Sequence, residues 1–238
     1  KIFEEEGGTD FAYLVDVDGV NWRFRVNMLQ QLGNIGLVAR RVSNFIPDFA
    51  GLNLPPVMES LCKFDQGMVL LAGITGSGKT TTIASMLNWI NKRDRKHILT
   101  LEDPVEFIYT DDKCLINQRE VHRDTKGFAP ALRSALREDP DVILVGEMRD
   151  LETISAAITA AETGHLVLST LHTVNASQTI ERIIDMYPAD QQNQIRSMLA
   201  NTLQAVISQT LFKRMDGSSM VPAVEIMLCT PAIRNLIR

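Results

Sequence analysis

The pattern of apolar and polar positions differs between the two ends of the chain. The first 46 residues predict strands, with no segment of helical period between the first two of them. The predicted strands are Phe11–Val17, Asn21–Val26 and Ile35–Val42. Asp18 and Gly19 lie between the first two strands and favour a tight hairpin turn.

A segment rich in breakers of regular structure follows these strands. Three prolines and one glycine occur between residues 47 and 56, which indicates a linker. We therefore predict an N-terminal domain over residues 1–46, a linker over 47–56 and a larger domain over 57–238.

Beyond the linker, short apolar runs alternate with segments of helical period. The runs that predict strands are Met68–Ala72, His97–Leu101, Val142–Val145 and Leu166–Thr170. Apolar stripes predict a helix after residue 80, helices over about 128–136 and 151–161, and a long helix from Pro188 through Leu211. Strands interleaved with helices predict an α/β fold, with a parallel sheet covered on both faces. In such sheets ligands bind at the carboxyl ends of the strands.

A glycine-rich segment follows the first strand of this larger region. Residues 73–80 fill the pattern G-x-x-x-x-G-K-[ST] of a phosphate-binding loop. Glycines allow backbone N–H groups to turn toward phosphate oxygens, and the following helix adds the positive end of its dipole. We predict that ATP binds here, with Lys79 reaching the β- and γ-phosphates and the Thr80 hydroxyl ligating Mg²⁺. The predicted nucleotide-binding residues of this segment are Gly73, Thr75, Gly76, Ser77, Gly78, Lys79, Thr80 and Thr81.

Acidic residues follow two of the predicted strands. Glu147 follows the apolar run Val142–Val145 after one glycine and is predicted to hold Mg²⁺. Glu102, Asp103 and Glu106 follow another strand, and we choose Glu106 as the general base that activates water. The alternative is that these acids are solvated turn residues, since acids are common in turns.

Two further segments bear on the site. His172 follows the predicted strand at 166–170 on the ligand side, where it can bond a γ-phosphate or a carboxylate, although a histidine in this position is often structural. Residues 91–94 spell N-K-x-D, a guanine-reading string, but they come directly after the helix of the phosphate-binding loop. Base-reading loops lie at the carboxyl end of a strand, so we interpret 91–94 as a solvated helix end.

Composition narrows the function class. The net charge of −5 argues against nucleic acid as the main ligand. The chain contains no apolar run of about 18 residues, the length of a membrane span. The acidic N-terminus does not resemble a signal peptide and lacks Met, so we expect the natural start to lie upstream. The three cysteines form no C-x-x-C pair, which suits a reducing cytoplasm.

Taken together, these segments resemble the secretion ATPase superfamily and, within it, the type IV pilus retraction ATPases. The resemblance covers nearly the whole chain. Its main motifs are the Walker A loop at 73–80, the aspartate box at 100–109, the Walker B segment at 141–150 and the histidine box at 164–176. Residues 117–121, 133–140 and 232–238 also resemble this family.

The resemblance implies a RecA-like P-loop NTPase core preceded by a small PAS-like α+β domain that is only partly present. It assigns Glu106 as the catalytic glutamate and Glu147 as the Walker B acid. It also places His165 and His172 in the histidine box, where we predict that His165 binds nucleotide and that His172 is catalytic. It also implies arginines from the N-terminal domain that contact phosphate, for which Arg25 and Arg40 are the candidates.

The same resemblance implies a cytoplasmic homo-hexamer at the inner face of the bacterial inner membrane. Its expected partner is an inner-membrane pilus platform protein, and its expected output is pilus retraction and twitching motility. The alternatives are a pilus extension or type II secretion ATPase, a nucleotide-switched interaction module, and a nucleic-acid translocase. The C-terminal helix, with Ile233, Leu236 and Ile237 on one face, either makes a contact needed for retraction or caps the core.

Overall fold

The computed structural model describes residues 7–42 and 45–238. The chain divides into two compact units. The first contains the residues up to Phe45 together with Glu106–Ile108, and the second contains Ile46–Val105 and Tyr109–Arg238. The predicted linker therefore belongs to the second unit, where Phe49 and Leu54 are both buried in the core.

The first unit contains an antiparallel sheet in the order β1-β2-β3. Its strands are β1 (Gly8–Val17), β2 (Val20–Gln31) and β3 (Asn34–Val42). Asp18 and Gly19 have positive φ angles of 55° and 78°, as a tight hairpin turn requires, and Val17 pairs with Val20. The three predicted strands are confirmed, and β2 is longer than its apolar pattern indicated.

Within the described residues, the second unit contains a seven-stranded central sheet in the order β10-β9-β4-β8-β7-β5-β6. Neighbouring strands are parallel, except for the antiparallel pair β9 and β10. The strands are β4 (Gly67–Ala72), β5 (His97–Glu102), β6 (Leu115–Glu120), β7 (Val142–Val145), β8 (Leu166–Leu171), β9 (Leu203–Lys213) and β10 (Met220–Leu228).

Helices cover both faces of the central sheet. They are α1 (Val57–Leu61), α2 (Lys79–Asn91), α3 (Phe128–Ala135), α4 (Leu151–Glu162), α5 (Ala176–Asp185), α6 (Gln192–Thr202) and α7 (Pro231–Ile237). Successive residues of β4 enter opposite layers, because strand side chains alternate between faces. Met68 and Leu70 belong to the core cluster with α3, α4 and α6, whereas Val69 and Leu71 belong to the cluster with α1 and α2. The predicted α/β fold with a doubly covered sheet is confirmed.

The prediction of one long helix through Leu211 is wrong. Helix α6 ends at Thr202, and β9 begins at Leu203 and pairs in parallel with β4. Residues 205–209 are all buried. A short, fully buried apolar run has no polar face, so its periodicity cannot separate a strand from a helix.

The interpretation of the N-K-x-D segment is corrected at Asn91. This side chain is buried rather than solvated. Its amide nitrogen donates to the Thr110 carbonyl at 2.8 Å, and its oxygen accepts from the backbone N–H groups of Asp112 at 3.1 Å and Cys114 at 3.3 Å. Asn91 therefore ties the end of α2 to the segment that leads into β6.

The C-terminal helix α7 caps the core. Ile237 is buried, and the Arg234 guanidinium donates to the carbonyls of Ala200 at 2.6 Å and Asn201 at 2.8 Å, which lie in the last turn of α6. Leu236 is 80% exposed, so a contact of α7 with a partner stays a prediction. Among the described residues, no helix combines the length and apolar character needed to cross a bilayer.

Candidate nucleotide-binding site

The glycine-rich loop connects the carboxyl end of β4 to α2. Gly73, Gly76 and Gly78 have positive φ angles of 148°, 79° and 85°, a region that favours glycine. A Cβ atom at Gly73 would also collide with the backbone oxygen of Gln209. The loop conformation therefore requires glycine at these positions, as the sequence pattern predicted.

Lys79 turns back into the loop. Its side chain is buried, and Nζ donates to the carbonyls of Gly73 at 2.6 Å and Ile74 at 3.0 Å. Burial lowers the pKa of Lys79, although the Glu147 carboxylate opposes that shift. A buried ammonium that is satisfied only by carbonyls gains from a phosphate oxygen nearby.

The loop also contains an unpaired polar atom. The Oγ atom of Ser77 is buried without a hydrogen-bond partner in the described part of the protein. A buried hydroxyl of this kind is costly unless a partner arrives. The cradle, its lysine and this hydroxyl fit a phosphate group.

The turn that carries Glu147 is tied to strands on both sides of β7. The backbone N–H of Gly146 donates to the Leu101 carbonyl at 2.8 Å, and the Thr170 hydroxyl donates to the Gly146 carbonyl at 2.7 Å. The N–H of Met148 donates to the Thr170 carbonyl at 3.2 Å. These bonds to β5 and β8 hold Glu147 at the carboxyl edge of the sheet.

Glu147 binds two side chains in a compact cluster. Nη2 of Arg149 lies 2.7 Å from Oε2, and Nε2 of His172 lies 2.7 Å from Oε1. Burial by itself raises the pKa of Glu147. The hydrogen bond from Arg149, together with the charges of His172, Arg149 and Lys79, outweighs burial and holds the pKa below its usual value. Of the two partners predicted for His172, the carboxylate is the one seen.

The donor set at this edge suits magnesium. Thr80 is half-buried in the first turn of α2 and offers a hydroxyl, and Glu147 offers a carboxylate that is already ionised. Mg²⁺ prefers oxygen ligands and is commonly held by one or two protein groups together with phosphates. Thr75 and Thr81, in the loop and at the start of α2, are exposed and half-buried respectively.

The acids after β5 have different environments. Glu102 is buried, and its Oε1 accepts from the Thr100 hydroxyl at 2.7 Å and from the Gln118 amide at 3.3 Å. Asp103 and Glu106 are exposed. Glu106 groups with the first unit, so its role as general base stays a prediction.

Arg25 and Arg40 face each other in the first unit. They are direct partners across β2 and β3, and both are exposed. Directly opposite residues of an antiparallel pair project on the same side, with Cβ atoms about 5 Å apart. Because like charges opposite each other are destabilising, an anion between the two guanidinium groups would relieve the repulsion.

The nucleotide-binding role of His165 stays a prediction, and within this chain the residue lies at the edge of the sheet opposite the glycine-rich loop. His165 precedes β8 at the amino edge of the sheet, whereas His172 follows β8 at the carboxyl edge. A six-residue strand separates the two edges by about 20 Å. His165 Nδ1 instead donates to the Ala160 carbonyl, 2.9 Å away, at the end of α4.

Sequence reasoning missed two residues of the site. Arg149 lies inside the Walker B segment, two positions after the predicted acid, and its charge next to Glu147 was an available signal. Gln209 contacts the glycine-rich loop from β9, in a stretch that the apolar pattern assigned to a helix. Nothing local in the sequence pairs that stretch with β4.

The chain belongs to the family of type II/IV secretion system proteins, whose model matches residues 14–231. It is 55% identical over its whole length to the type IV pilus retraction ATPase PilT of Pseudomonas aeruginosa and spans 68% of that protein. It is 50% identical over its whole length to a twitching motility protein of Neisseria gonorrhoeae and spans 63% of that protein.

A solved structure agrees in fold. The crystal structure of the pilus retraction motor PilT with bound ADP superposes with a TM-score of 0.94 at 51% identity, covering 99% of this chain and 68% of that one. The RecA-like core that the motifs implied is therefore supported by the fold as well as by the family.

Proposed function

We propose that this chain is an ATPase that powers type IV pilus retraction, and thereby twitching motility, as a homo-hexameric ring. The proposal is supported by the arrangement of three side chains at the carboxyl edge of the sheet. The buried Lys79 and the Glu147–His172 pair follow the neighbouring strands β4, β7 and β8. Phosphate-binding and acidic groups at one edge are what hydrolysis of a nucleoside triphosphate needs.

The residues of this edge divide the work. The glycine-rich loop binds the phosphates, and Lys79 leaves its two carbonyl partners to neutralise charge on the γ-phosphate. Thr80 and Glu147 would hold Mg²⁺, which would supply further charge neutralisation. His172 keeps one oxygen of Glu147 in place.

Glu106 and the two arginines complete the mechanism. Glu106 orients the attacking water or accepts its proton. Arg25 and Arg40 add positive charge to the transition state in the manner of arginine fingers, often across a subunit boundary. We propose that the ring lies in the cytoplasm at the inner membrane face and turns an inner-membrane pilus platform protein.

The proposal is tested by comparing Glu106→Gln with Asp103→Asn in the purified protein. Both changes convert an exposed acid after β5 into its amide, so they are matched in chemistry. We expect Glu106→Gln to lower the ATP hydrolysis rate about 10²-fold or more while ADP still binds, because general base catalysis is lost. Asp103→Asn should hydrolyse ATP at nearly the normal rate.

Hydrolysis at the normal rate by Glu106→Gln would contradict the assigned role. The ring is tested by dilution, since sites shared between subunits lose activity per subunit as the protein dissociates. A constant specific activity at every concentration would instead favour a nucleotide-switched module that acts without a ring.

A further inference from the structure

The glycine-rich loop rests on a part of β9 that extends beyond β4. The two strands pair as far as Ala72 and Ser208, but β9 continues to Lys213. A Cβ atom at Gly78 would lie 2.8 Å from the side-chain nitrogen of Gln209 and 3.4 Å from Leu211. The extension of β9 is therefore in direct contact with the loop.

Gln209 bridges the loop and the helix that follows it. Its side chain is 3% exposed, its Nε2 donates to the Ser77 carbonyl at 2.7 Å, and its Oε1 accepts from the Thr82 hydroxyl at 2.8 Å. A carbonyl can only accept, so the amide nitrogen must face Ser77. If the amide were flipped, its oxygen would face the Ser77 carbonyl oxygen and the hydrogen bond to the loop would be lost.

The bond to Ser77 fixes the direction of the next N–H group. The carbonyl of Ser77 and the N–H of Gly78 belong to one peptide plane, and in a trans peptide they point in opposite directions. When Gln209 holds the carbonyl toward β9, the Gly78 N–H points away from β9. Gly78 is also the N-cap of α2.

We propose that Gln209 is a positioning residue for phosphate binding. It holds the Ser77–Gly78 peptide so that the loop presents an N–H group, rather than a carbonyl, to the phosphate. This inference rests on the proposed function, because it assumes that the loop binds a nucleotide.

The test compares Gln209→Glu with Gln204→Glu by calorimetric titration with ADP. At position 209 the new carboxylate oxygen would face the Ser77 carbonyl and repel it. Gln204 lies on the same strand, and its Nε2 donates to the Gln66 carbonyl at 3.1 Å, next to the amino end of β4. The two variants therefore match in charge, in strand and in the bond that the amide nitrogen loses. They differ in that Gln204 is half-buried and its Oε1 accepts from Nη2 of Arg234 at 3.0 Å.

We expect Gln209→Glu to weaken ADP binding about tenfold or more, since a buried hydrogen bond becomes a repulsion. Gln204→Glu should stay within about twofold of the wild type. A merely structural role would lower the thermal midpoint of the free protein but leave the ADP affinity of the folded protein unchanged. Equal ADP affinity in wild type and Gln209→Glu would overturn the inference, as would equal losses in both variants.

A second pair decides the question if Gln209→Glu does not fold. Thr82→Val keeps the side-chain shape but removes the hydroxyl that anchors Gln209, whereas Thr82→Ser keeps that hydroxyl. We expect binding about three- to tenfold weaker for Thr82→Val and near-normal binding for Thr82→Ser. Equal affinity of these two variants would overturn the inference. Failure of the wild type to bind ADP at all would instead overturn the proposed function.

Discussion

The two edges of the central sheet carry similar side chains but use them differently. At the amino edge the partners are mainly backbone groups. Gln204 donates to the Gln66 carbonyl, the His165 ring bonds the Ala160 carbonyl, and the Asp141 carboxylate accepts from the His97 N–H at 2.7 Å. These hydrogen bonds satisfy backbone carbonyl and N–H groups of the protein, which is the usual role of buried and half-buried polar side chains.

At the carboxyl edge the same strands carry charges that bind one another. Glu147, after β7, binds Arg149 and His172 rather than a backbone N–H. Lys79 is satisfied by the carbonyls of its own loop, which a phosphate can replace. The role of a polar residue in this fold therefore depends more on the end of the strand at which it lies than on its residue type.

The largest effect is expected at Lys79, with Lys96 at the opposite edge of the sheet as its control. Lys79→Ala removes the buried cation of the loop and should lower ATP hydrolysis about 10²–10³-fold, with ADP binding weakened in calorimetry. Lys96→Ala removes an ion pair of 3.1 Å with the exposed Asp65 before β5 and should leave hydrolysis unchanged. Comparable losses in both variants would show that the edges do not differ in function.

The second largest effect is expected at Glu147, after β7, and it is compared with the effect at Asp141, before β7. Glu147→Gln should lower ATP hydrolysis about 10²-fold, because the proposed magnesium ligand and its negative charge are lost. Asp141→Asn weakens the bond to the His97 N–H and should instead reduce the free energy of unfolding by about 1–2 kcal/mol. Urea denaturation and a phosphate-release assay on both variants measure the two quantities.

The third largest effect is expected at His172, after β8, and it is compared with the effect at His165, before β8. His172→Ala releases one oxygen of Glu147 and should lower hydrolysis about tenfold. His165→Ala should lower the thermal midpoint while ADP affinity stays at the wild-type value, since its ring bonds the end of α4. A loss of ADP affinity in His165→Ala would support the nucleotide-binding role predicted from the histidine box.

The smallest effect concerns pH and Arg149. The pKa of Glu147 in the folded protein lies below its ordinary value of 4.5, so the carboxylate stabilises the fold above that pH. This stabilisation is lost as the pH falls through the lowered pKa. Arg149→Ala should therefore be less stable than the wild type above about pH 4.5, with a gap that narrows in acid.

Because the Arg149 side chain is 73% exposed, the gap should not exceed about 1 kcal/mol. The stability gap is measured by urea denaturation between pH 3 and pH 7, in steps of about one pH unit. Arg133→Ala is the control, since it removes an exposed pair with Glu152 on the helix surface. A gap for Arg149→Ala that widens in acid would contradict the assigned electrostatics.

The sequence predicted most of the fold wherever a pattern is local. The strands β4, β5, β7 and β8 were found within one residue of each end, because each is a short apolar run bounded by turns. β9 was taken for part of a helix, because its strand character comes from pairing with β4 across more than 130 residues of sequence. Asn91 was taken as solvated for the same reason, since its partners lie at 110–114.

The glycine-rich loop, the strand before it and the acid after β7 could be read from the sequence alone, because each is specified by neighbours within a few residues. The three-dimensional fold was needed to show that Arg149 and His172 both bind Glu147 and that Gln209 supports the loop. These contacts between residues of different strands depend on strand order and register. Order and register arise from burial of the whole sheet and cannot be predicted from any single segment.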